Sequence, residues 1–350
     1  MADLTPLGEH PGVTFIMPVL NEGPYIEAAV RTILAQEYQG PKEVILALGP
    51  STDNTNDVVA RLQAEDGRLH TVDNPQGATP IGLNLAIAAS QYPVVIRVDA
   101  HSELSPDYAE VGVETLRRTG AANVGGLMLA RGETPFQRAV ARAYTSKVGL
   151  GGVAYHTGSE EGPAESAYLG IFRREALVNV GMFDETLRRG QDWELNLRIR
   201  DSGGLVWFNP ALEVTYWPRA TWSKVARQFY ATGIWRGELI RRHGAKNGVR
   251  YFAPPALVIA SAVSLLELLL QLSGSRGSWP KPLRTVAALV HVPSVTYVLG
   301  LLAVGVTAKK VSLRERLAFV AVLPTMHLSW GLGFVVGVIR GAGKTADTSR

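Results

Sequence analysis

From residue 13 the chain alternates short apolar runs with stretches of helical period. VTFIMPV, EVILAL and PVVIRVD are nearly continuous in Val, Ile and Leu, the pattern of strands buried on both faces. Residues 25–36, 55–64 and 85–90 between and around them read as helices. Alternating strands and helices imply right-handed crossovers and a mostly parallel sheet covered on both sides, an α/β, Rossmann-like domain. Beyond residue 250 the pattern changes. Residues 251–272 carry one charge, Glu267, and residues 287–307 and 317–339 carry none. Each stretch is long enough to cross a hydrocarbon core of ~30 Å at ~1.5 Å per residue. Three core helices of a soluble domain would show a polar stripe, and these do not, so the expectation is a helical membrane region of about three transmembrane helices. Pro254, Pro255 and Glu267 leave open a re-entrant first segment, which would put the C-terminus on the other side.

Between the two patterns, residues 221–243 interleave Trp222, Phe229, Tyr230, Ile234, Trp235 and Leu239 with Lys224, Arg227, Arg236, Arg241 and Arg242. Aromatic and basic residues together suit an amphipathic helix lying in the headgroup region. An ordinary surface helix is the competing reading. The expected organisation is thus a folded domain over 1–220, an interfacial segment over 221–250, a membrane region over 251–340 and a polar tail over 341–350.

Composition narrows the chemistry. The 350 residues include no cysteine, which excludes disulfides, thiolate nucleophiles and Cys-ligated metal centres. The net charge of +4 is unevenly spread: residues 251–350 hold ten Lys and Arg against three Asp and Glu, or +7, leaving −3 for residues 1–250. Positive charge beside apolar helices fits a membrane partner, and no basic groove for nucleic acid is expected. The first dozen residues contain no apolar signal core, so the N-terminal domain is expected in the cytoplasm. The loops then alternate outside (Arg276, Lys281, Arg284), inside (Lys309, Lys310, Arg314, Arg316) and outside (Arg340, Lys344, Arg350), a weak positive-inside bias.

In an open parallel sheet, ligands bind beyond the carboxyl ends of the strands. The residues there are Asn21 and Glu22 after the first strand, Gly49 to Asp53 after the second, and Asp99 and His101 after PVVIRV. In an extended stretch Asp99 and His101 would project together, and an oxygen with an imidazole could hold a divalent ion. The alternative is a turn-capping Asp99 and a surface His101. Asp192, in the first turn of an expected helix, is either a cap or a general base, and Glu194 is placed to orient its neighbours. The glycine-rich stretch 149–162 reads as a mobile loop. His291 and His327, inside apolar spans, read as neutral imidazoles bonded to neighbouring helices. The chain has no GxxxxGK[ST], no GxGxxG after the first strand and no GxSxG, which disfavours P-loop enzymes, dinucleotide dehydrogenases and α/β-hydrolases.

Taken in order, FIMPVLNEGPYI, GPSTDNTNDVV, NPQGATPIGLNLAI, RVDAHSELSPDY, YLGIFRREALVNVGMFDE, QDWELNLRIR and RQFYATGIWR resemble the family 2 inverting glycosyltransferases of the GT-A fold. The resemblance runs from about Val13 to His243 and is nearest to the membrane-anchored branch similar to bacterial succinoglycan (exopolysaccharide) glycosyltransferases. It implies a nucleotide-sugar donor and a divalent metal, Mg²⁺ or Mn²⁺. Pro18, Asn21 and Glu22 would line the nucleotide pocket and Asp53 its base-binding loop. Asp99 and His101 would stand where the family's D-x-D motif meets metal and diphosphate. Asp192 would be the base on the acceptor hydroxyl. Gln228, Trp235 and Arg236 are similar to the Q-x-x-R-W segment that closes over donor and acceptor.

The chain departs from the family where Leu46-Ala47-Leu48-Gly49-Pro50 lacks the usual base-contacting Asp, where His101 replaces an acid, where Gln191 replaces a Glu, and in the long spacing from Gln228 to Trp235. The last favours single addition over polymerisation. The implied function is transfer from a nucleotide sugar, a UDP-sugar, to a lipid-linked or polyprenyl acceptor at the inner (cytoplasmic) membrane, in cell-envelope or exopolysaccharide synthesis. A polyprenyl-phosphate sugar synthase and a catalytically weak nucleotide-binding scaffold are the alternatives.

Overall fold

The computed structural model describes residues 4–150, 154–244, 248–309 and 311–343. Gly151 and Gly152 of the glycine-rich stretch, Lys310, and Lys344 and Arg350 of the expected tail lie outside the described residues.

Nine strands form one sheet: β1 (Val13–Val19), β2 (Lys42–Leu48), β3 (Leu69–Asp73), β4 (Val94–Arg97), β5 (Glu103–Leu104), β6 (Asn123–Ala130), β7 (Gly162–Pro163), β8 (Tyr168–Arg173) and β9 (Val206–Tyr216). The α-helices are α1 (Ile26–Leu34), α2 (Thr55–Glu65), α3 (Thr79–Ala89), α4 (Tyr108–Thr119), α5 (Pro135–Tyr144), α6 (Ala154–Thr157), α7 (Arg174–Asn179), α8 (Gln191–Asp201), α9 (Trp222–His243), α10 (Ala253–Leu272), α11 (Lys281–Ala288), α12 (Val292–Thr307) and α13 (Leu313–Arg340). They divide between two compact units, residues 1–131 with 150–217, and residues 132–149 with 218–350.

In the first unit the strand order is β3-β2-β1-β4-β8-β6-β9-β5, with β7 also on β9. The half that holds the three predicted apolar runs, β3-β2-β1-β4, is entirely parallel. Beyond it β8 enters antiparallel to both β4 and β6, making the sheet mixed. Alternate residues of β1 serve two cores: Phe15 and Met17 join one, Ile16 the other. That double burial is why these strands are apolar throughout. The β1–β4 ladder ends at Ile16↔Arg97, where the Val98 N–H meets the Ile16 carbonyl at 3.0 Å. The next rung would need a donor from Pro18, which has none. The pairing of the two strands therefore ends there, at their carboxyl ends.

In the second unit α9 and α13 approach backbone to backbone. A Cβ added to Gly233 would stand 2.1 Å from the Trp330 carbonyl oxygen, and one added to Gly237 would stand 2.5 Å from that of Phe334. From the opposite side, Cβ atoms on Gly333 and Gly337 would each come within 2.1 Å of a carbonyl oxygen, on Tyr230 and Ile234. Two glycines four apart on each helix thus form the contact, the packing that small residues permit between apolar helices. The aromatic face read as meeting headgroups turns Phe229, Ile234, Trp235 and Leu239 into this packing.

Three helical stretches are long and apolar enough to cross a membrane: Val249–Leu272, Lys281–Thr307 and Leu313–Arg340. Pro254 and Pro255 fall in the first turn of α10, where a missing N–H costs little, and the helix runs unbroken to Leu272. The second stretch is broken by a 3₁₀ turn, Leu289–His291.

The first domain was expected to run unbroken to residue 220, yet residues 132–149 pack with the helical unit. The cause lies in α5, which Thr134 and Gln137 start with a reciprocal capping box. Its Phe136 ring meets Trp222 at 4.8 Å, Arg138 pairs with Glu315, and Arg142 lies over Phe319 at 5.6 Å.

Candidate active site

The loops after β1 and β2 are tied together by side chains acting on backbone. Asn21 takes a positive φ of 55°, a conformation Asn tolerates better than most residues. This lets its N–H donate to Ser51 Oγ at 3.0 Å while its Oδ1 accepts from the Thr52 N–H at 2.8 Å. The Glu22 N–H donates to Thr55 Oγ1 at 2.9 Å. Asp53 accepts from the N–H groups of Gly23 and Thr55, both at 3.1 Å, and from the Thr55 hydroxyl. These bonds, the Thr55 hydroxyl first, hold the Asp53 carboxyl below the usual range. Asp53 thus lies in the loop after β2, where its carboxylate builds the loop itself. Pro18 lies beneath α3, whose Gly82 leaves room for it: a Cβ on Gly82 would come 3.3 Å from the Pro18 Cβ and 3.1 Å from that of Ala47.

Asp99 and His101 occupy a turn closed by the Ser102 N–H on the Asp99 carbonyl at 2.9 Å. They do not lie in an extended stretch, because the chain reverses after β4 to enter β5. The turn aims His101 Nδ1 at Glu22 Oε1, 3.8 Å away. Among the described residues no three His, Asp or Glu side chains converge as a metal site.

Asp192 is the second residue of α8, whose start is a left-handed Gly190 with φ 75°. The helix is fixed from several sides. Asn196 accepts from Asn123 Nδ2 at 2.6 Å and donates to Ser166 Oγ at 3.2 Å. Glu194, 3% exposed, accepts two bonds from Arg198, which also donates to the Val180 and Met182 carbonyls. Glu194 is therefore the orienting acid that its position suggested. Asn84 of α3 holds the preceding loop by a reciprocal pair with the Phe183 backbone, both bonds 2.9 Å.

The residue that joins these parts is Arg97, last in β4 and 5% exposed. Its Nη1 donates to Asp192 Oδ1 and its Nη2 to Asp99 Oδ1 at 3.2 Å. Loss of water around the Asp192 carboxylate pushes its pKa up, with the Arg97 guanidinium pulling the other way. Sequence reasoning passed over Arg97, although a charge inside an otherwise apolar strand was the available signal, since buried charges are paired. Asn84, Asn123 and Asn196 were missed for the same reason, as polar residues within apolar runs.

Gln228, Trp235 and Arg236 belong to α9 in the other unit. Gln228 Oε1 accepts from the Tyr144 hydroxyl at 3.4 Å, Trp235 is buried, and the Arg236 guanidinium lies 3.9 Å over the Tyr251 ring.

A doubly covered sheet with acids gathered at the carboxyl ends of its strands is the arrangement in which open α/β folds bind their ligands. Residues 14–181 match the model of glycosyl transferase family 2. The chain is 31% identical over 328 residues to the succinoglycan biosynthesis protein ExoA of Rhizobium meliloti, covering 91% of this chain and 92% of that one. It is 26% identical to a dolichyl N-acetyl-alpha-D-glucosaminyl phosphate 3-beta-D-2,3-diacetamido-2,3-dideoxy-beta-D-glucuronosyltransferase of Methanococcus voltae, over 66% of this chain and 74% of the relative. Among solved structures, a Pyrobaculum calidifontis mannosyltransferase in complex with GDP-Man and Mn²⁺ superposes with a TM-score of 0.57 at 20% identity, over 96% of this chain and 89% of that one. The chain belongs to glycosyl transferase family 2. It is a glycosyltransferase with a GT-A catalytic fold followed by apolar helices.

Proposed function

We propose that this glycosyltransferase is an inverting enzyme that moves one sugar from a UDP-sugar to a lipid-linked acceptor at the cytoplasmic face of the inner membrane, in exopolysaccharide or cell-envelope assembly. The observation that carries the reading is the single guanidinium shared by Asp192 and Asp99 at the carboxyl edge of the sheet. The activities named for the two relatives, succinoglycan biosynthesis and transfer to a dolichyl-linked sugar phosphate, support a glycan product and a lipid carrier. Three apolar helices support a membrane location. A catalytic unit of residues 1–131 and 150–217 and a membrane region after residue 250 complete the reading.

In this account Asn21, Glu22 and the Ser51–Asp53 loop form a preorganised wall for the nucleotide, with Pro18 beneath it. Asp99 and His101 offer one oxygen and one nitrogen, a donor set that fits a divalent ion shared with substrate phosphates and water. Held there, Mg²⁺ or Mn²⁺ would supply charge stabilisation for the leaving diphosphate. Asp192 accepts the proton of the acceptor hydroxyl as that oxygen attacks the anomeric carbon from the face opposite the diphosphate, so configuration inverts. Burial raises its pKa, with the Arg97 guanidinium pulling the other way, and a raised pKa makes its carboxylate a stronger base than an exposed one. By the family resemblance, Gln228, Trp235 and Arg236 of α9 are the residues assigned to donor and acceptor closure.

The test is a panel of labelled UDP-, GDP- and dTDP-sugars given to purified membranes with and without Mn²⁺, followed by the anomeric configuration of the product. The reading expects metal-dependent transfer from a UDP-sugar with inversion. Retention, or transfer from GDP-sugars alone, contradicts the corresponding part. Bare polyprenyl phosphate serving as the acceptor would establish the synthase alternative, and nucleotide binding without transfer the scaffold. Asp99→Asn is expected to lose metal-dependent nucleotide binding.

A further inference from the structure

We propose that Arg97 is a positioning residue for sugar transfer, holding the acceptor-side carboxylate of Asp192 and the donor-side carboxylate of Asp99 in one fixed arrangement. The inference rests on the roles given to those two acids above. The acids come from different elements, the turn after β4 and the first turn of α8, 93 residues apart in the sequence. One planar fork reaches both, Nη1 to Asp192 and Nη2 to Asp99. The Arg97 Nε is buried with no hydrogen-bond partner among the described residues, and its two Nη atoms donate to the two carboxylates.

The exposures separate positioning from plain charge neutralisation. The Arg97 side chain is 6% exposed, whereas Asp99 keeps 24% and Asp192 34% of theirs. The cation is buried and its two partners keep part of their surface open. Arg97 therefore acts on the reaction through the acids and is too buried to meet substrate itself. Its charge favours the carboxylate form of Asp192 against the effect of burial, and its rigid fork holds one oxygen of each acid. A lysine offers a point charge and no such fork. The backbone supports the same geometry: Arg97 pairs in register with Ile16 on β1, so its Cα is set by the centre of the sheet, while α8 is set by the Asn123–Asn196 and Glu194–Arg198 bonds.

The experiment is a double-mutant cycle on the full-length protein in nanodiscs: Arg97→Gln, Asp192→Asn and the pair, with Arg97→Lys beside them. Readouts are kcat, donor KM, and Mn²⁺ affinity in the presence of UDP measured by electron paramagnetic resonance. Arg97→Gln is expected to lower kcat by about 10–100-fold, the usual range for residues that orient a functional ligand, with donor KM changed by less than about threefold and Mn²⁺ affinity reduced through Asp99. The paired variant should be within about threefold of Asp192→Asn alone, because the arginine acts through that acid. Fully multiplicative losses in the cycle, or wild-type kcat in Arg97→Gln, overturn the inference. If Arg97→Gln does not fold, Arg97→Lys decides: a folded protein with about a tenfold loss in kcat supports the fork, and wild-type kcat overturns it. Full activity in Asp192→Asn would instead strike the general-base assignment, a failure distinguishable from that of Arg97.

Discussion

Each unit buries one charge between two partners. In the sheet unit the charge is Arg97, held by Asp99 and Asp192; in the helical unit it is Glu267, 6% exposed, held by Arg276 and by His291 Nε2. The surroundings differ. The partners of Arg97 lie at the carboxyl ends of parallel strands, where ligands of such sheets bind. Those of Glu267 are tied back into the helices: His291 Nδ1 bonds Ser264 Oγ at 2.6 Å, and Arg276 donates to the Arg284 carbonyl at 2.6 Å. A buried charge held between two partners therefore does not by itself mark a site. Place in the fold and onward bonding separate the two, so the first triad is assigned to chemistry and the second to the packing of α10 on the turns that follow it.

Breaking the first triad at its base should have the largest effect. Asp192→Asn is expected to lower sugar transfer by about 10²–10⁴-fold with UDP binding retained, as measured by initial rates and calorimetry; transfer within a few-fold of wild type would remove the distinction between the triads. Breaking the second should cost stability and spare chemistry. Glu267→Gln leaves Arg276 without its carboxylate and should destabilise the helical unit by about 3 kcal/mol, read from thermal unfolding in detergent, while transfer per folded molecule is unchanged. A large loss of kcat there would make Glu267 functional. The glycine crossing sharpens the same contrast. Gly337→Ala must push a Cβ against the Ile234 carbonyl and should cost about 1–3 kcal/mol, whereas Gly300→Ala, with nothing within 4 Å, should leave stability unchanged or raise it slightly. Equal effects would argue against the close α9–α13 contact.

The smallest effect is on pH. Burial raises the Asp192 pKa, and only its carboxylate form accepts a proton. Activity should therefore fail, as pH is lowered, at a higher pH than the ~3.9 of an ordinary aspartate. An acid limb of kcat/KM at or below that value contradicts the raised carboxyl.

The parallel half of the sheet was legible because strands covered on both faces leave an uninterrupted apolar signal. β3, LHTVD, was missed because only Leu69 of its five residues is buried. The antiparallel entry of β8 was invisible, since a strand's direction depends on distant pairing. Helix α3 begins at Thr79, ahead of the expected 85, because its Pro80 and Gly82 read as breakers although one sits in the first turn and the other makes room for β1 and β2. Asn21, Asp53, Asp99 and Asp192 were findable from their places after strands and at a helix start. Arg97 was not found because strand pattern alone gives no reason to ask what one polar residue in an apolar run is paired with. The glycines of α9 and α13 lie about a hundred residues apart, and the pairing of GIWRG with GFVVG becomes apparent only when the helices are side by side.

The most direct test of the central claim is transfer of label from UDP-sugars into organic-extractable lipid by membranes holding wild type or Asp192→Asn at matched folded amounts. The account predicts metal-dependent labelling by wild type and near-complete loss in the variant with nucleotide binding intact. Equal labelling by both proteins would contradict it.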